Sequence, residues 1–442
     1  MSTLAERLRD LADDHAPHDL SADDLWGRGR RRQRRRTVGA VALTVLLVAG
    51  VVGAGSQLLP SSQREVGPSR GEVTLPLPDR IQAPSGWTSG TDDGPVGPLV
   101  AVLGAERQQL WGSGTTGLAG LSATGAYRFL DLPGYPDTTS AVALSADGRR
   151  LAYGYDGPVS GEPGGTGDEA LAGIAVYDTV TGAVRRHDVR APHGITVDDL
   201  AWVGDDTLLA NYGLFDGPAV VDDDDSSTSS GTLAPTLVWD LGLSGEPSSV
   251  ASGETVGLTE ATPAGDRLVE VTGRRVHLVD DSGQVTPGPR LPVAAEESRV
   301  VVSPDGARIA WIEDLQPNVS DGRPRSVLVA DLADPAGTLQ RLDHVDNQVL
   351  GWRDDDHVLT AGSDGRWSSV GLDGSVTEVA RTPVEQDGPG VVLADDALRG
   401  PVLDAPDPEW ILDPRLPLAG VLLALLAGLA LAVGRWRRAR LR

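Results

Sequence analysis

Histidine is the side chain in this sequence best suited to bind a metal or to transfer a proton near neutral pH. The seven histidines form neither the His-x-x-x-His nor the His-Glu-x-x-His spacing that brings two metal ligands together on a helix. His187 and His193 lie six residues apart and flank Asp188 in a predicted loop. We favour a solvated loop there and keep a zinc site as the alternative, without thiolate ligands because the sequence has no cysteine.

A run of four carboxylates is the second candidate for metal binding. The run consists of Asp222, Asp223, Asp224 and Asp225, and five Ser or Thr residues follow it. Its oxygens suit Ca²⁺, but it lacks the alternating ligands, the Gly and the final Glu of a calcium loop. We therefore favour an exposed loop and leave calcium open.

Nucleophilic catalysis has no support in the sequence. Serine hydrolases use a Gly-x-Ser-x-Gly elbow between a strand and a helix. This spacing occurs once, at Gly67-Pro68-Ser69-Arg70-Gly71, in a stretch rich in Pro, Gly and Ser with no α/β segment to host the elbow. We therefore predict no catalytic residue, no cofactor and no enzymatic activity.

Two apolar stretches dominate the hydropathy of the chain. Residues 37–59 and 416–434 contain no charged side chain and are 23 and 19 residues long. A helix needs roughly 20 apolar residues to cross a bilayer, so both predict transmembrane helices. A cleaved signal peptide at Val52-Gly53-Ala54 and a twin-arginine signal at Arg35-Arg36 are weaker alternatives for the first stretch.

Arginine clusters border both apolar stretches on one side only. The cluster residues that we assign to membrane topology are Arg30, Arg31, Arg32, Arg34, Arg35, Arg36, Arg435, Arg437 and Arg438. Positive residues stay on the cytoplasmic side of a membrane, so we predict that both termini lie in the cytoplasm. Residues 1–36, an acidic then Arg-rich tail, and residues 435–442 would be cytoplasmic, and the part between the spans extracytoplasmic.

The net charge of −25 is unevenly distributed. Without the two tails, which hold 14 of the 38 basic and 7 of the 63 acidic residues, 24 Arg face 56 acids, or −32. A domain this acidic is a poor partner for nucleic acid, whose binding depends on neutralised phosphates. We expect the acidity to serve solubility.

Weak repeats fill the region between the spans. The clearest copies place a tight turn between two short β-runs, with Asp147 and Gly148 in one turn and Asp305 and Gly306 in the other. Asp-Gly between alternating apolar residues is a hairpin signal, because Gly accepts the positive φ of the turn. We interpret these four residues as structural.

The repeats predict an all-β fold, a six- or seven-bladed β-propeller over residues 99–405. Copies begin near residues 142, 200, 260, 300 and 350, and a degenerate first copy spans 99–132 with β-runs at 99–103 and 109–111. A seventh blade would form if residues 388–404 paired with an N-terminal strand. We assign Trp202, Trp311 and Trp352 to packing between blades and residues 60–98, rich in Pro, Gly and Ser, to a stalk.

The Ser-Pro-Asp-Gly turn at 303–306, followed by Ile309-Ala310-Trp311, resembles the blade motif of TolB-like and WD-repeat-like β-propellers. The resemblance implies a fold and no particular function, because many unrelated activities use it. The whole arrangement is also similar to actinobacterial membrane-anchored propeller proteins. That similarity implies, for some of them, sigma-factor regulation through the cytoplasmic tail.

The sequence therefore predicts a membrane-tethered extracytoplasmic module that binds, senses or scaffolds without catalysis. Its expected partners are the lipid bilayer and an extracytoplasmic protein, peptide or glycan. The alternative is a transmembrane regulator whose N-terminal tail binds a cytoplasmic protein such as a sigma factor. Leu4, Leu8 and Leu11, spaced along one face of a predicted helix, would be the docking segment of such a regulator. We favour instead a solvated acidic tail and an arginine cluster that fixes topology and binds anionic lipid.

Overall fold

A computed structural model provides the structure of the protein. It describes residues 75–136, 141–164, 170–218, 220–221, 227–228, 231–242, 245–250, 256–258, 261–293, 295, 299–313, 326–345, 348–382, 390–405, 411 and 413–440. The first predicted span, the N-terminal tail with its arginines and the run of Asp222 to Asp225 lie outside these residues.

The described part of the chain is almost entirely β-structure. In chain order the strands are β1 (Leu77–Pro78), β2 (Leu99–Arg107), β3 (Thr115–Ser122), β4 (Tyr127–Phe129), β5 (Val142–Leu144), β6 (Arg150–Tyr155), β7 (Gly173–Asp178), β8 (Val184–Asp188), β9 (Ile195–Val203), β10 (Thr207–Phe215), β11 (Val220–Val221), β12 (Ser227–Thr228), β13 (Gly231–Leu233), β14 (Leu237–Asp240), β15 (Ser248–Ser249), β16 (Thr262–Ala264), β17 (Arg267–Thr272), β18 (Arg275–Val279), β19 (Val285–Arg290), β20 (Val301–Val302), β21 (Arg308–Ile312), β22 (Ser326–Asp331), β23 (Gln340–Val345), β24 (Gln348–Asp354), β25 (His357–Ala361), β26 (Arg366–Gly371), β27 (Val376–Arg381), β28 (Val392–Leu393) and β29 (Val402–Leu403). The helices are a 3₁₀ turn (Thr91–Asp93), α1 (Asp395–Arg399) and α2 (Arg415–Arg440).

Six antiparallel sheets form the blades of a propeller. We call them blades A to F; their strand orders are β28-β2-β3-β4, β5-β6-β7-β8, β9-β10-β14-β15, β16-β17-β18-β19, β20-β21-β22-β23 and β24-β25-β26-β27. The first strands of successive blades contact one another from β28 through β5, β9, β16 and β20 to β24, so they form the inner ring. We label the strands of each blade a to d from this ring outward. The predicted six-bladed, all-β propeller is confirmed.

Turns within the blades define two opposite faces of the ring. The turns between strands a and b lie on one face, which we call the a–b face, and the turns between strands b and c lie on the other, the b–c face. In blade C the b–c connection is the longest, and it holds the hairpin of β11 and β12 and the added strand β13. Binding loops on this scaffold are therefore presented on two separate surfaces.

The ring is closed by strands from both ends of the domain. Strand β28 pairs with β2, joining Val392 to Val102 and Leu393 to Ala101. It therefore supplies strand a of blade A, the place that β5 takes in blade B. The expected pairing of residues 388–404 with an N-terminal strand does occur, but the seventh blade is wrong because that pairing completes the first blade.

A second contact between the two ends involves residues that the sequence suggested were a stalk. Strand β1 runs parallel to β29 and pairs Leu77 with Val402. Leu75, Leu77 and Ile81 are buried, each at most 1% exposed. The stalk assignment is therefore wrong for residues 75–98, because these apolar side chains fill the junction between blades F and A. We call residues 75–81 with 400–405 the clasp.

The hydrophobic core lies between neighbouring blades. One cluster joins blades B and C through side chains such as Ile174, Leu208 and Trp239, and another joins blades E and F through side chains such as Val327 and Val358. Sheets of Val, Leu and Ala pack face to face in this way because their side chains alternate across each strand. The strand predicted at 109–111 is wrong, since these residues lie between β2 and β3.

Helix α2 belongs to a compact unit separate from the propeller. Its 26 residues make it the helix, among those described, that is long and apolar enough to cross a membrane. None of its residues is buried. Its last turns carry Arg437, Arg438 and Arg440.

Candidate functional site

The a–b turn of blade B holds Asp147 and Gly148. The Ser145 hydroxyl donates a hydrogen bond of 2.7 Å to the Asp147 carboxylate, which also accepts one of 3.0 Å from the Arg149 N–H. Gly148 has a φ of +69°, which a Cβ would strain. The turn therefore satisfies its own polar groups, and its Asp carboxylate is engaged in local hydrogen bonds.

The a–b turn of blade E repeats this arrangement. Ser303 donates a hydrogen bond of 2.6 Å to the Asp305 carboxylate, and the Ala307 N–H donates one of 2.9 Å. These hydrogen bonds hold the pKa of Asp305 below its ordinary value, because they favour the charged carboxylate. Gly306 has a φ of +72°.

An arginine after each of these turns reaches the next blade. Arg150 of blade B donates to the Asp205 carbonyl and to the Asp206 carboxylate in the a–b turn of blade C. Three blades further on, Arg308 donates to the carbonyl of Asp355 at 2.6 Å and to the carboxylate of Asp356 at 3.1 Å. The same device thus links blade B to C and blade E to F.

The predicted core tryptophans occupy two kinds of position. Trp202 and Trp352, each 2% exposed, lie on strand a and donate from Nε1 to a strand-a carbonyl of the preceding blade. The acceptors are Ala143, at 3.0 Å, and Val301, at 3.2 Å. Trp311 lies instead on strand b of blade E and is fully buried, and its Nε1 has no hydrogen-bond partner among the residues that the structure describes.

Helix α1 crosses the a–b face between blades B and F. The N–H of Asp396 donates to the Ala146 carbonyl of blade B at 3.1 Å. At the other end, the Gly400 carbonyl accepts a hydrogen bond of 3.0 Å from Arg353 of blade F. Leu398 is buried against Gly351, where no side chain occupies the space. The helix therefore covers part of the ring's centre on this face.

Among the described residues, nine carboxylates lie in the a–b turns and in α1. They are Asp147, Asp205, Asp206, Asp266, Asp305, Asp355, Asp356, Asp395 and Asp396. Burial raises the pKa of Asp205 above its ordinary value, and the nearby charge of Asp147 adds to the effect. The face is therefore suited to attract cationic groups.

The two carboxylates of α1 share one arginine. Arg399 donates to Asp395 at 2.9 Å and lies 3.5 Å from Asp396. Burial raises the pKa of both carboxyl groups, and the charge of Arg399 opposes this shift. Within the described ranges, no three His, Asp or Glu side chains are arranged to hold a metal ion.

The two histidines considered as zinc ligands lie in different environments. His187 is on the outer strand of blade B, with its ring 6.2 Å from that of Trp239 in blade C. Burial lowers the pKa of His187 below its ordinary value. His193 is half-buried, and its Nδ1 lies 2.6 Å from the carbonyl oxygen of Glu162.

The b–c face carries an exposed apolar loop. The loop between β2 and β3 exposes two adjacent apolar side chains, Leu110 at 48% and Trp111 at 84%. We call residues 108–114 the blade A tip. Among the described residues 75–405, the large apolar side chains more than half exposed are Trp111 and Leu233 of β13, in the b–c connection of blade C, while Val376 and Leu403 are as exposed as Leu110.

The topology arginines within the described residues are Arg435, Arg437 and Arg438, all in the last turns of α2. The guanidinium of Arg440 stacks over the Trp436 ring at 3.7 Å from its centroid. The apolar run and the arginines that follow it predicted helix α2. The sequence shows no comparable signal for α1, the clasp or the blade A tip. Strands of two residues and a helix of five residues are too short to show a hydrophobic periodicity in the sequence.

Neither a protein-family model nor a curated protein matches the sequence. Among solved structures, the chain is similar to TolB from Acinetobacter baumannii, with 14% identity and a TM-score of 0.36 over 68% of this chain and 66% of that one. It is also similar to the β-propeller domain of the Trilobed protease from Pyrococcus furiosus, with 14% identity and a TM-score of 0.35 over 63% of this chain and 82% of that one. A eukaryotic initiation factor follows, with 12% identity and a TM-score of 0.30 over 63% of this chain and 59% of that one.

These similarities concern the type of fold. The chain covers slightly less than two thirds of the length of the A. baumannii TolB. Sequence identities this low carry nothing about ligands or activity. The predicted TolB-like β-propeller is confirmed as to its fold, and the six sheets of this chain establish that fold independently.

Proposed function

We propose that the chain is a two-pass membrane protein whose extracytoplasmic propeller serves as a non-catalytic binding, sensing or scaffolding module. The observation that carries the proposal is the clasp. Because β1 pairs with β29, both ends of the propeller are held at the same junction between blades F and A; the two strands are parallel, so the chain enters at one end of this short pair and leaves at the other. A domain with neighbouring ends can be held by an anchor at each end without being strained open.

The anchors themselves have separate support. Helix α2 has the length and apolar composition of a membrane span, and arginines follow its apolar part. Residues 37–59 have the same composition in the sequence and follow an arginine cluster. Both arginine clusters would face the cytoplasm, and the acidic propeller would lie on the other side.

A protein, peptide or glycan is the ligand class that we propose, and the a–b face is the surface. Propeller faces bind through loops that a rigid ring positions. Here a row of carboxylates, several with pKa values raised by burial, favours a ligand with cationic groups. The Arg150 and Arg308 contacts between blades keep the turns of this face in place.

Single-cysteine labelling tests the topology, because the natural chain has no cysteine. In intact cells a membrane-impermeant maleimide should label Asp266→Cys, in the exposed a–b turn of blade D, and should not label Ser2→Cys or Ala439→Cys. Disruption of the membrane should expose all three. Labelling of either terminal cysteine in intact cells contradicts the two-pass arrangement.

The same Asp266→Cys protein tests the binding part of the proposal. A photo-reactive maleimide attached there should cross-link an extracytoplasmic protein or glycan at the cell surface. The matched control is Arg274→Cys, an exposed residue in the b–c turn of the same blade, on the opposite face. Equal cross-linking from both positions, or none from Asp266→Cys, contradicts a specific a–b surface.

A transmembrane regulator is the second candidate. It rests on the spacing of Leu4, Leu8 and Leu11 in the predicted cytoplasmic tail. Deletion of residues 1–27 leaves the arginine cluster and both spans intact. A regulator should then lose its effect on transcript levels, and unchanged transcripts sink this candidate.

A further inference from the structure

The blade A tip is an unusual surface for so acidic a protein. Between Arg107 and Arg128 the sequence holds no charged residue, although 23% of the chain is charged. Leu110 and Trp111 occupy the apex of this uncharged stretch and are exposed side by side. A ring with an apolar body and a polar N–H is the side chain that membrane–water interfaces favour.

The chain leaves the propeller on the same face as this tip. Strand β2 starts at the a–b face, where the Leu99 N–H bonds to the Gly148 carbonyl at 2.8 Å, so its far end carries the tip on the b–c face. Strand β27 ends on the b–c face as well, since the Thr382 N–H bonds to the Gly365 carbonyl in the b–c turn of blade F at 2.8 Å.

Ala405 lies beside the end of β27. The backbone of Arg381 donates to the Asp79 carbonyl at 2.9 Å, and the Ala405 N–H donates to the Asp79 carboxylate at 2.8 Å. Arg80 in turn donates to the Ala405 carbonyl at 3.1 Å. The C-terminal exit is therefore fastened near the b–c face, between blades F and A.

The connection from this exit to helix α2 is short. From Ala405 to Arg415 the chain can extend over at most about 35 Å. Residues 60–74, which lead into the clasp from the first predicted span, can extend over about 50 Å and so accommodate either face. The shorter connection thus limits how far the b–c edge of blades F and A can lie from a bilayer that α2 crosses.

Charge distinguishes the blade A tip from the acidic loops of the propeller. The a–b face carries the carboxylates of the turns and of α1, which a surface with anionic lipid repels. The blade A tip carries no charge that such a surface would repel, and its apolar side chains are free to enter the interface.

We propose that the blade A tip inserts Leu110 and Trp111 into the interface of the bilayer that holds the protein. The proposal rests on the proposed membrane tethering. Insertion would fix the orientation of the ring, with the b–c edge of blades F and A at the lipid and the a–b face directed away from it. The lipid interface would then be a third attachment point beside the two spans.

A fluorescent probe next to the tip tests this in the full chain reconstituted in phosphatidylcholine–phosphatidylglycerol vesicles. An NBD group attached to Ser113→Cys lies two positions after Trp111 and leaves the side chains of Leu110 and Trp111 in place. Doxyl-labelled lipids should reduce its fluorescence about twofold, since interfacial side chains enter the boundary by only about 5–10 Å. NBD at Thr181→Cys, an exposed c–d turn residue of blade B, should show no quenching.

Two further proteins separate the possible failures. NBD at Leu425→Cys reports on helix α2. If the doxyl lipids do not quench it, α2 does not span the membrane, and the tip proposal is overturned together with the membrane tethering. With Leu425→Cys quenched, an unquenched Ser113→Cys overturns the tip proposal alone. Adding Leu110→Ser and Trp111→Ser to Ser113→Cys should abolish the quenching, and unchanged quenching in that protein also overturns the proposal.

Discussion

Two glycines with the same backbone conformation differ in their surroundings. Gly148 and Gly306 both sit at the second position of an Asp-Gly pair, with φ of +69° and +72°. A Cβ on Gly148 would collide with the backbone of Leu99, where the chain enters blade A. A Cβ on Gly306 would meet no atom within 4 Å. One turn is therefore packed against the closing blade and the other faces solvent.

We expect Gly306→Ala to lower the free energy of unfolding by about 1 kcal/mol, the ordinary strain of a left-handed residue with a side chain. Gly148→Ala should add about 1–3 kcal/mol to that loss, because the Leu99 backbone must shift. Midpoints of thermal unfolding of the two full-length variants, measured in the same detergent, check the order. Equal midpoints would show that Leu99 moves aside freely.

At the scale of elements, the propeller depends on several very short ones. Strands β1, β28 and β29 have two residues each, and α1 has five. Isolated elements of this size have no stability of their own. They persist because Leu77 and Ile81 on one side, and Leu398 on the other, are buried against blades F and A.

The clasp therefore predicts unequal costs for two leucines that the sequence makes look alike. Leu77→Ala empties a fully buried position and should lower the free energy of unfolding by about 2–5 kcal/mol. Leu403→Ala, on the paired strand but 48% exposed, should cost less than about 0.5 kcal/mol. Thermal unfolding of both full-length variants measures the difference. A cost for Leu77→Ala as small as that for Leu403→Ala would restore the stalk interpretation.

On the scale of the whole molecule, electrostatics work against compactness. The chain between the tails holds 56 acids and 24 Arg. Ion pairs such as Arg150–Asp206 and Arg308–Asp356 are partly exposed, and such pairs are worth at most about 1 kcal/mol each. Repulsion among the remaining carboxylates therefore outweighs the pairs.

Added salt should for this reason stabilise the protein. Between about 10 mM and 1 M NaCl the Debye length falls from about 30 Å to about 3 Å, which screens the net repulsion. The midpoint of thermal unfolding should rise by a few degrees, and an uncharged osmolyte at equal osmolality is the control for non-ionic effects. A falling midpoint would mean that salt weakens the ion pairs between blades by more than it screens the net repulsion.

Local chemistry explains what could be predicted. Asp147-Gly148 and Asp305-Gly306 indicate hairpins because the turn conformation depends on those two residues alone. The starts of blades B to F followed from the same signal, and α2 followed from its uninterrupted apolar run. The strand predicted from Gln109 to Trp111 is wrong, because an apolar pair at the apex of a loop has the same composition as a strand.

The remaining features depend on partners distant in sequence. Leu77 is buried in the cluster between blades A and F, and its strand partner Val402 lies more than 300 positions later, whereas Pro, Gly and Ser around it have the composition of a linker. Likewise, the pairing of Val392 with Val102 decides that the ring has six blades.

By itself, then, the sequence determined the repeat, the turn chemistry, the apolar stretches and the division of charge, because each depends on neighbouring residues. Only the tertiary structure decided the number of blades, the closure of the ring, and which face carries Leu110 and Trp111. Those depend on which strands meet, and that is settled by the packing of the whole ring rather than by any segment within it.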